Sequence, residues 1–395
     1  GGHSLQLSKK IINHGLIEIG DAGTNGATLF LNAGVSGLFF IEGDGKILML
    51  NTRSSIEIFT FLNPFTTQPP EAIFVNGVSI EGAGNIGSDD VLQVTNLGKI
   101  VANGQLKENG ERTPGDLIIT SDDQMLNRGT LTVVGNGNRL AVNGGGTGTI
   151  LDNHGNVEIG PGAVMVIDGT YFAHGGGRTD NRGTMIAEQF SLLPSSPGTD
   201  PHLFRGAGFI KGNVENNALV GPGDSPGTLT IEGDYGQNGF LEIELGGTTA
   251  DSQYDVLAVT GLASFFEGSE LQVQLIDDDT ENLFQPELGD LFDVVHADTI
   301  LDQGLVFDFP TLPGLRFAHE IIDTGSVQAL RLRVVLTPLC DFSGDSLCDL
   351  SDIDDLFDQG DLVAGISAPG SAYDLTGDGT LNGDDVEVWM AEAAT

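Results

Sequence analysis

The sequence predicts a mostly β chain: a right-handed parallel β-helix (solenoid) with a β-rich cap, followed by a small helical C-terminal module. Three observations predict it. Short segments of alternating apolar and polar residues fill residues 1–220, each ended by Gly, Asn or Asp. An Asn-x-Gly motif recurs at Asn96, Asn127, Asn153 and Asn181, at intervals of 31, 26 and 28 residues. Two clusters of acids close the chain, each leading into apolar residues at helical spacing.

Residues 1–220 read as coils. "IINHGLIEIG" (11–20), "VTNLGKIVAN" (94–103), "MLNRGTLTVV" (125–134), "LDNHGNVEIG" (151–160) and "TDNRGTMIAE" (179–188) each pair Asn-x-Gly with an alternating strand. Repetition at such a period means a solenoid, a propeller or an array. Irregular spacing, 58 glycines and three short strands per interval favour the solenoid, whose inward Ile, Val, Leu and Phe would form one continuous core. The Asn then has a physical task, because its amide can bond the equivalent Asn one coil away. It also tolerates the tight corner, and the following Gly avoids a Cβ clash there. The alternative is a set of ordinary Asn-x-Gly hairpins in an antiparallel sheet. "NPFTTQPP" (63–70) reads as a loop leaving the coils.

Residues 221–336 change character, with longer alternating strands such as "GFLEIELGG" (239–247) and "SELQVQLI" (269–276). They are expected to form wider terminal coils or a β-sandwich cap, since an open sheet end invites edge pairing. The stretch "PGDSPGTLTIEGDY…LEIELGG…YDVLAVTG…GSELQVQL" resembles the β-strand repeats of bacterial autotransporter passengers and PEP-CTERM-type surface proteins. The likeness covers roughly residues 220–300 well and the coils more loosely. It implies an exported, cell-surface or extracellular β-solenoid of adhesive or structural role, and no catalytic residue. Neither an outer-membrane barrel nor a sorting helix follows in this sequence.

Residues 337–395 carry the acids. Numbered from its first Asp, "DLTGDGTLNGDD" places oxygen donors at positions 1, 3, 5, 7, 9 and 12: Asp374, Thr376, Asp378, the Thr380 carbonyl, Asn382 and Asp385. In "DFSGDSLCDLSD" the same positions hold Asp341, Ser343, Asp345, the Leu347 carbonyl, Asp349 and Asp352. Ca²⁺ takes six to eight oxygens in a flexible shell, and this spacing wraps them round a point. Gly379 supplies the sharp turn at position 6, where the first loop has Ser346. Helices are expected over 352–360 and 384–394. Paired units of this pattern resemble a type I dockerin module (paired F-hand), which implies two bound Ca²⁺ and docking onto a cohesin-like protein. Positions 10 and 11 are Leu350-Ser351 and Gly383-Asp384 rather than the Ser/Thr pairs of that family, so calcium binding carries over and cohesin recognition does not. The only cysteines, Cys340 and Cys348, flank the first cluster; secretion would join them as a disulfide, and a cytosol would leave two thiols.

Composition narrows the function. With 56 acidic against 16 basic side chains and a net charge of −40, neither nucleic acid nor an anionic membrane surface is an expected partner. No apolar run reaches the roughly 20 residues of a membrane helix, and the start at Gly1-Gly2 reads as a processed product or a fragment, from which an export signal would already have been removed. Asp122, Asp123, Asp152, Asp168 and Asp180 with Arg182 could line a polysaccharide-cleaving face. They sit in or beside turns, however, and with one Trp and four Tyr the aromatic platforms of a sugar site are few, so no catalysis is expected. His14 and His154 each occupy the middle of an Asn-His-Gly turn, and the seven histidines read as scattered surface residues rather than a metal site. The expectation is an extracellular structural or adhesive protein that assembles with itself, head to tail, into a layer, matrix or filament stabilised by calcium. "SLQLSKKIINHG" offers a strand to a neighbour's edge. A dockerin-bearing binding module and, further off, a polysaccharide-degrading enzyme are the alternatives.

Overall fold

Alternation places one apolar side chain in two on the same face of a strand, and here those faces stack in register. In the computed structural model, which describes residues 4–8, 10–21, 25–34, 38–60, 72–87, 91–144, 149–194, 198–277, 282–337, 352, 366–367, 373–377 and 379–392, the chain is mostly β. Contacts divide it into two compact units. The first is Gly1–Phe284, Phe292–Asp308 and Ile321–Arg331; the second is Gln285–Leu291, Phe309–Glu320 and Leu332–Thr395.

The first unit is built of tiers of three short strands. One tier is Arg139–Asn143, Thr149–Asn153 and Asn156–Ile159; the next is Val164–Ile167, Gly169–Ala173 and Arg178–Asn181. Each strand pairs in parallel with its counterpart one tier on, as in Leu140↔Met165, Leu151↔Tyr171 and Val157↔Thr179. The third strands of the tiers alone form a 12-stranded sheet, so twelve tiers are stacked among the described residues. The pattern continues beyond residue 221, through Thr228–Glu232, Tyr235–Gln237 and Phe240–Leu245 to Val306–Asp308. Antiparallel hairpins do not build this stack. Antiparallel pairs such as the short Gln105–Leu106 with Arg112–Thr113 and Ile366–Ser367 with Thr380–Leu381 form small sheets of their own.

The core consists of columns of like residues. One runs Phe39, Phe74, Val94, Met125, Leu151, Tyr171, Phe190, Val214, Tyr235, Ala263, Ile300 through successive tiers. Burying one such large side chain is worth about 1.5–3 kcal/mol, so the columns supply the main stabilising term. Glycine lets the corners close where a neighbouring tier comes near. Gly82 has φ 126°, and a Cβ there would lie 1.8 Å from the Met49 carbonyl oxygen.

A second column is polar. Asn76, Asn96, Asn127 and Asn153 occupy one register position in four tiers and are fully buried. Asn76 Nδ2 donates to Asn96 Oδ1 at 2.9 Å, Asn96 to Asn127 at 2.8 Å, and Asn127 to Asn153 at 2.7 Å. The next position is Ala173, and there the Tyr171 hydroxyl accepts from Asn153 Nδ2 at 2.9 Å. Thr179 Oγ1 links that hydroxyl to His202 Nε2, and His202 Nδ1 lies 3.0 Å from the His174 carbonyl, to which it donates. Burial holds His202 down to about 4, so the ring is neutral and its Nε2 accepts. Donors and acceptors thus alternate without conflict from Asn76 to the His174 carbonyl. The ladder resumes with Asn216 Nδ2 donating to Gln237 Oε1 at 3.1 Å.

This register corrects the repeat read from the sequence. Asn181 does not continue the Asn96–Asn127–Asn153 series, because its partner across the sheet is Ile159, on another strand of the tier. Asn181 caps a different corner, accepting from the Gly183 N–H at 3.2 Å and donating to the Phe209 carbonyl at 3.0 Å. Tier lengths vary, so a fixed interval misses a shortened tier in which Asn153 is followed after 20 residues by Ala173.

In the second unit Phe309 packs on Phe317 with ring centroids 5.3 Å apart. The hairpin of Ile366–Ser367 and Thr380–Leu381 leads into helix α1, Gly383–Glu392, where Leu381 and Trp389 are buried. Among the described residues no helix is long and apolar enough to cross a membrane.

Candidate functional site

In the acidic loop, described over 373–377 and 379–385, hydrogen bonds gather on the first and last aspartates. Asn382 sits at the N-cap of α1, and its Oδ1 accepts from the Asp384 N–H at 2.7 Å, as a capping side chain does. Asp384 and Asp385 lie in the first turn, where the helix dipole favours negative charge. Asp385 is fully buried and turns back into the loop. Its Oδ1 accepts from the backbone and hydroxyl of Thr376, both at 3.1 Å, and its Oδ2 from the Asn382 N–H at 2.8 Å. Burial pushes its carboxyl up, but the N–H groups of Asn382 and Thr376 outweigh it and hold the group below the usual carboxylate range. Asp374 Oδ2 accepts from Gly379 N–H at 2.7 Å, and Gly377 and Gly379 take φ of 70° and 81°, so both sharp bends fall on glycine.

The structure therefore gathers Asp374, Thr376, Thr380, Asn382 and Asp385 from the predicted second set into one loop; Asp378 lies outside the described residues. Of the first set, Asp352 is helical and fully buried, as Asp385 is at the matching position 12. Asp341, Ser343, Asp345, Leu347 and Asp349 lie outside the described residues, as do Cys340, Cys348, most of the helix expected over 352–360, and the loop at 63–70.

The carboxylates considered for a cleaving face differ in their surroundings. Asp122, Asp123 and Asp168 are exposed. Asp180 pairs not with Arg182, as the sequence suggested, but with Arg178 at 2.7 Å and Arg205 at 2.9 Å, while Arg182 reaches Asp224 at 3.1 Å. Burial raises the Asp180 carboxyl, yet the two guanidinium groups outweigh it and keep it below its ordinary value. Arg178 and Arg205 follow Asp180's own side of the sheet, whereas Arg182 lies past the corner.

The reading of the histidines as scattered is also corrected. His14 pairs with Asp44 at 2.6 Å, both exposed. His154 and His174, 20 residues apart, stack with centroids 4.0 Å apart and planes 10° apart. Asp152 lies beside them, its Oδ1 2.6 Å from His174 Nε2 and 3.4 Å from His154 Nε2. The cause is register: Asp152↔Phe172 and Asn153↔Ala173 are paired, so the residue after each strand falls in one column. "NHG" at 153–155 and "AHG" at 173–175 carry the signal, legible once a 20-residue tier is allowed.

Neither the scan of protein-family models nor the search of curated proteins finds a match for this chain.

Proposed function

We propose that the chain is an extracellular structural or adhesive protein of the bacterial cell surface, its twelve tiers winding as a right-handed parallel β-helix and its C-terminal module clamped by calcium. Crossovers that return the chain to a parallel strand of the same sheet are right-handed in nearly all known cases, which supports that hand. The observation that carries the calcium reading is the buried Asp385, drawn back to the start of its loop while Asp374 turns in from the other end. Oxygen donors at this spacing suit a hard cation, with Asp374, Asp378, Asn382 and Asp385 as side-chain ligands and the Thr380 carbonyl as the backbone one. Asp341, Asp345, Asp349 and Asp352 would hold a second Ca²⁺. The cation would neutralise acids for which almost no local Lys or Arg exists.

A stack of parallel tiers ends in strands whose outer edges can pair with another copy. That suits self-association in a layer, matrix or filament, and high acidity is tolerated where salt or Ca²⁺ screens it. Analytical ultracentrifugation and electron microscopy at high protein concentration, with millimolar Ca²⁺ or with chelator, test this reading. Calcium-dependent ordered assemblies are expected; a monodisperse monomer in both conditions contradicts it.

A further inference from the structure

We propose a second metal site, distinct from the C-terminal acids: Asp152, His154 and His174 form a three-ligand centre for one divalent transition cation of the Zn²⁺ class, bridging two tiers. His154 and Asp152 come from one tier and His174 from the next. Their donor atoms, one per residue, lie within 4.8 Å of one another. Backbone hydrogen bonds fix both histidines at the corner, His154 N–H to the Asn127 carbonyl at 2.8 Å and His174 N–H to the Asn153 carbonyl at 2.9 Å. The rings are parallel, and both Nε2 atoms face the same carboxylate oxygen.

That oxygen is the decisive observation. Asp152 Oδ1 is buried and receives no well-aligned hydrogen bond, although two imidazole nitrogens lie 2.6 and 3.4 Å from it. A buried acceptor without a donor is costly. Two imidazole nitrogens and a carboxylate oxygen brought together at one corner are a donor set for a cation, which a small rotation of one stacked ring would turn onto a common point. Metal–nitrogen and metal–oxygen bonds of about 2.1 Å in tetrahedral geometry put neighbouring donors about 3.4 Å apart. The His154–Asp152 distance already has that value, and the His174–Asp152 distance must widen by less than about 1 Å. The side chains are 23–35% exposed, so an ion can reach them and water can complete the shell.

The donor set selects the ion. Two imidazoles and one carboxylate suit Zn²⁺, Co²⁺, Ni²⁺ or Cu²⁺, whereas Ca²⁺ and Mg²⁺ prefer oxygen alone. One neighbour opposes binding: Arg128, the preceding member of the same corner column, carries a positive charge that repels a cation held there. Removing it should therefore strengthen the site.

The test is calorimetric titration of the full chain with Zn²⁺ in excess Ca²⁺, with Co²⁺ absorption as a second readout of tetrahedral nitrogen ligation. One site per chain is expected, weakened at least tenfold in His174→Gln and His154→Gln, unchanged in His14→Gln, and tightened in Arg128→Gln. Circular dichroism confirms that each variant is folded; should a glutamine variant fail to fold, the Arg128→Gln titration still decides. Absence of a Zn²⁺ site in the parent chain, equal affinity in a folded His174→Gln protein, or no tightening in Arg128→Gln overturns the proposal.

Discussion

Replacing Asn127 with Ala removes the middle rung of the polar ladder. The side chain accepts from Asn96 at 2.8 Å and donates to Asn153 Oδ1 at 2.7 Å and to the Asn156 carbonyl at 3.1 Å, all in the interior. Its neighbours keep partial compensation: Asn96 Nδ2 still reaches the Thr130 carbonyl at 3.1 Å, and Asn153 Oδ1 still accepts from Gly155 N–H at 3.2 Å. Three net hydrogen bonds at about 1 kcal/mol each, plus a small cavity term, give a loss of about 3 kcal/mol. Stacked tiers respond locally, so the cost falls on Gln124–Asn127, its neighbours Val91–Asn96 and Thr149–Asn153, and little else. Native-state hydrogen exchange with urea as perturbant resolves this strand by strand. Asn136→Ala is the control, an exposed turn residue a few positions on, with an expected change under about 0.5 kcal/mol. If Asn127→Ala costs no more than Asn136→Ala, or destabilises all tiers equally, the ladder does not stabilise the stack as argued.

Three further outcomes are expected. Asp255 is buried, and burial with the nearby Glu244 and Glu242 charges raises its carboxyl to about 8 against the backbone N–H groups of Glu244 and Gly227. Its folded value exceeds its unfolded one, so stability present at low pH is lost as pH rises towards 8, by up to about 1.4 kcal/mol per pH unit. Urea midpoints at pH 5 and pH 8 should accordingly fall more in the parent than in Asp255→Asn; parallel falls would refute this. Gly82→Ala forces a Cβ to 1.8 Å from a backbone oxygen and should cost more than about 3 kcal/mol or prevent folding, whereas Gly176→Ala, with φ 81° and nothing within 4 Å, should cost about 1–2 kcal/mol in thermal unfolding. Arg331→Met leaves the Asp293 carboxylate without its two guanidinium bonds at 2.6 and 3.0 Å and should lower the melting temperature, while Lys211→Met, at an exposed pair, should not.

Period-two alternation and Asn-x-Gly corners made the strand content and the side-chain ladder legible, because both follow from local geometry. What stayed hidden was register. Residues 153 and 181 share a motif, yet they occupy different corners, since tier length is set by loops that fold without a repeated signal. The same blindness scattered His154 and His174 and paired Asp180 with the wrong arginine. Proximity across a parallel stack depends on the number of residues per tier, which no single segment encodes. The turn of the acidic loop was easier to read, because Asp374, Thr376, Asn382 and Asp385 lie within twelve consecutive residues and local hydrogen bonds bring them together.

Differential scanning calorimetry of the full chain with Ca²⁺ and with EGTA tests the central claim most directly. Two transitions are expected, of which the one belonging to the C-terminal module moves down on chelation and in Asp385→Ala, while that of the tiered body stays in place. Superimposable traces, or a fall of both transitions together, would contradict the account of a self-sufficient β stack with a cation-locked end.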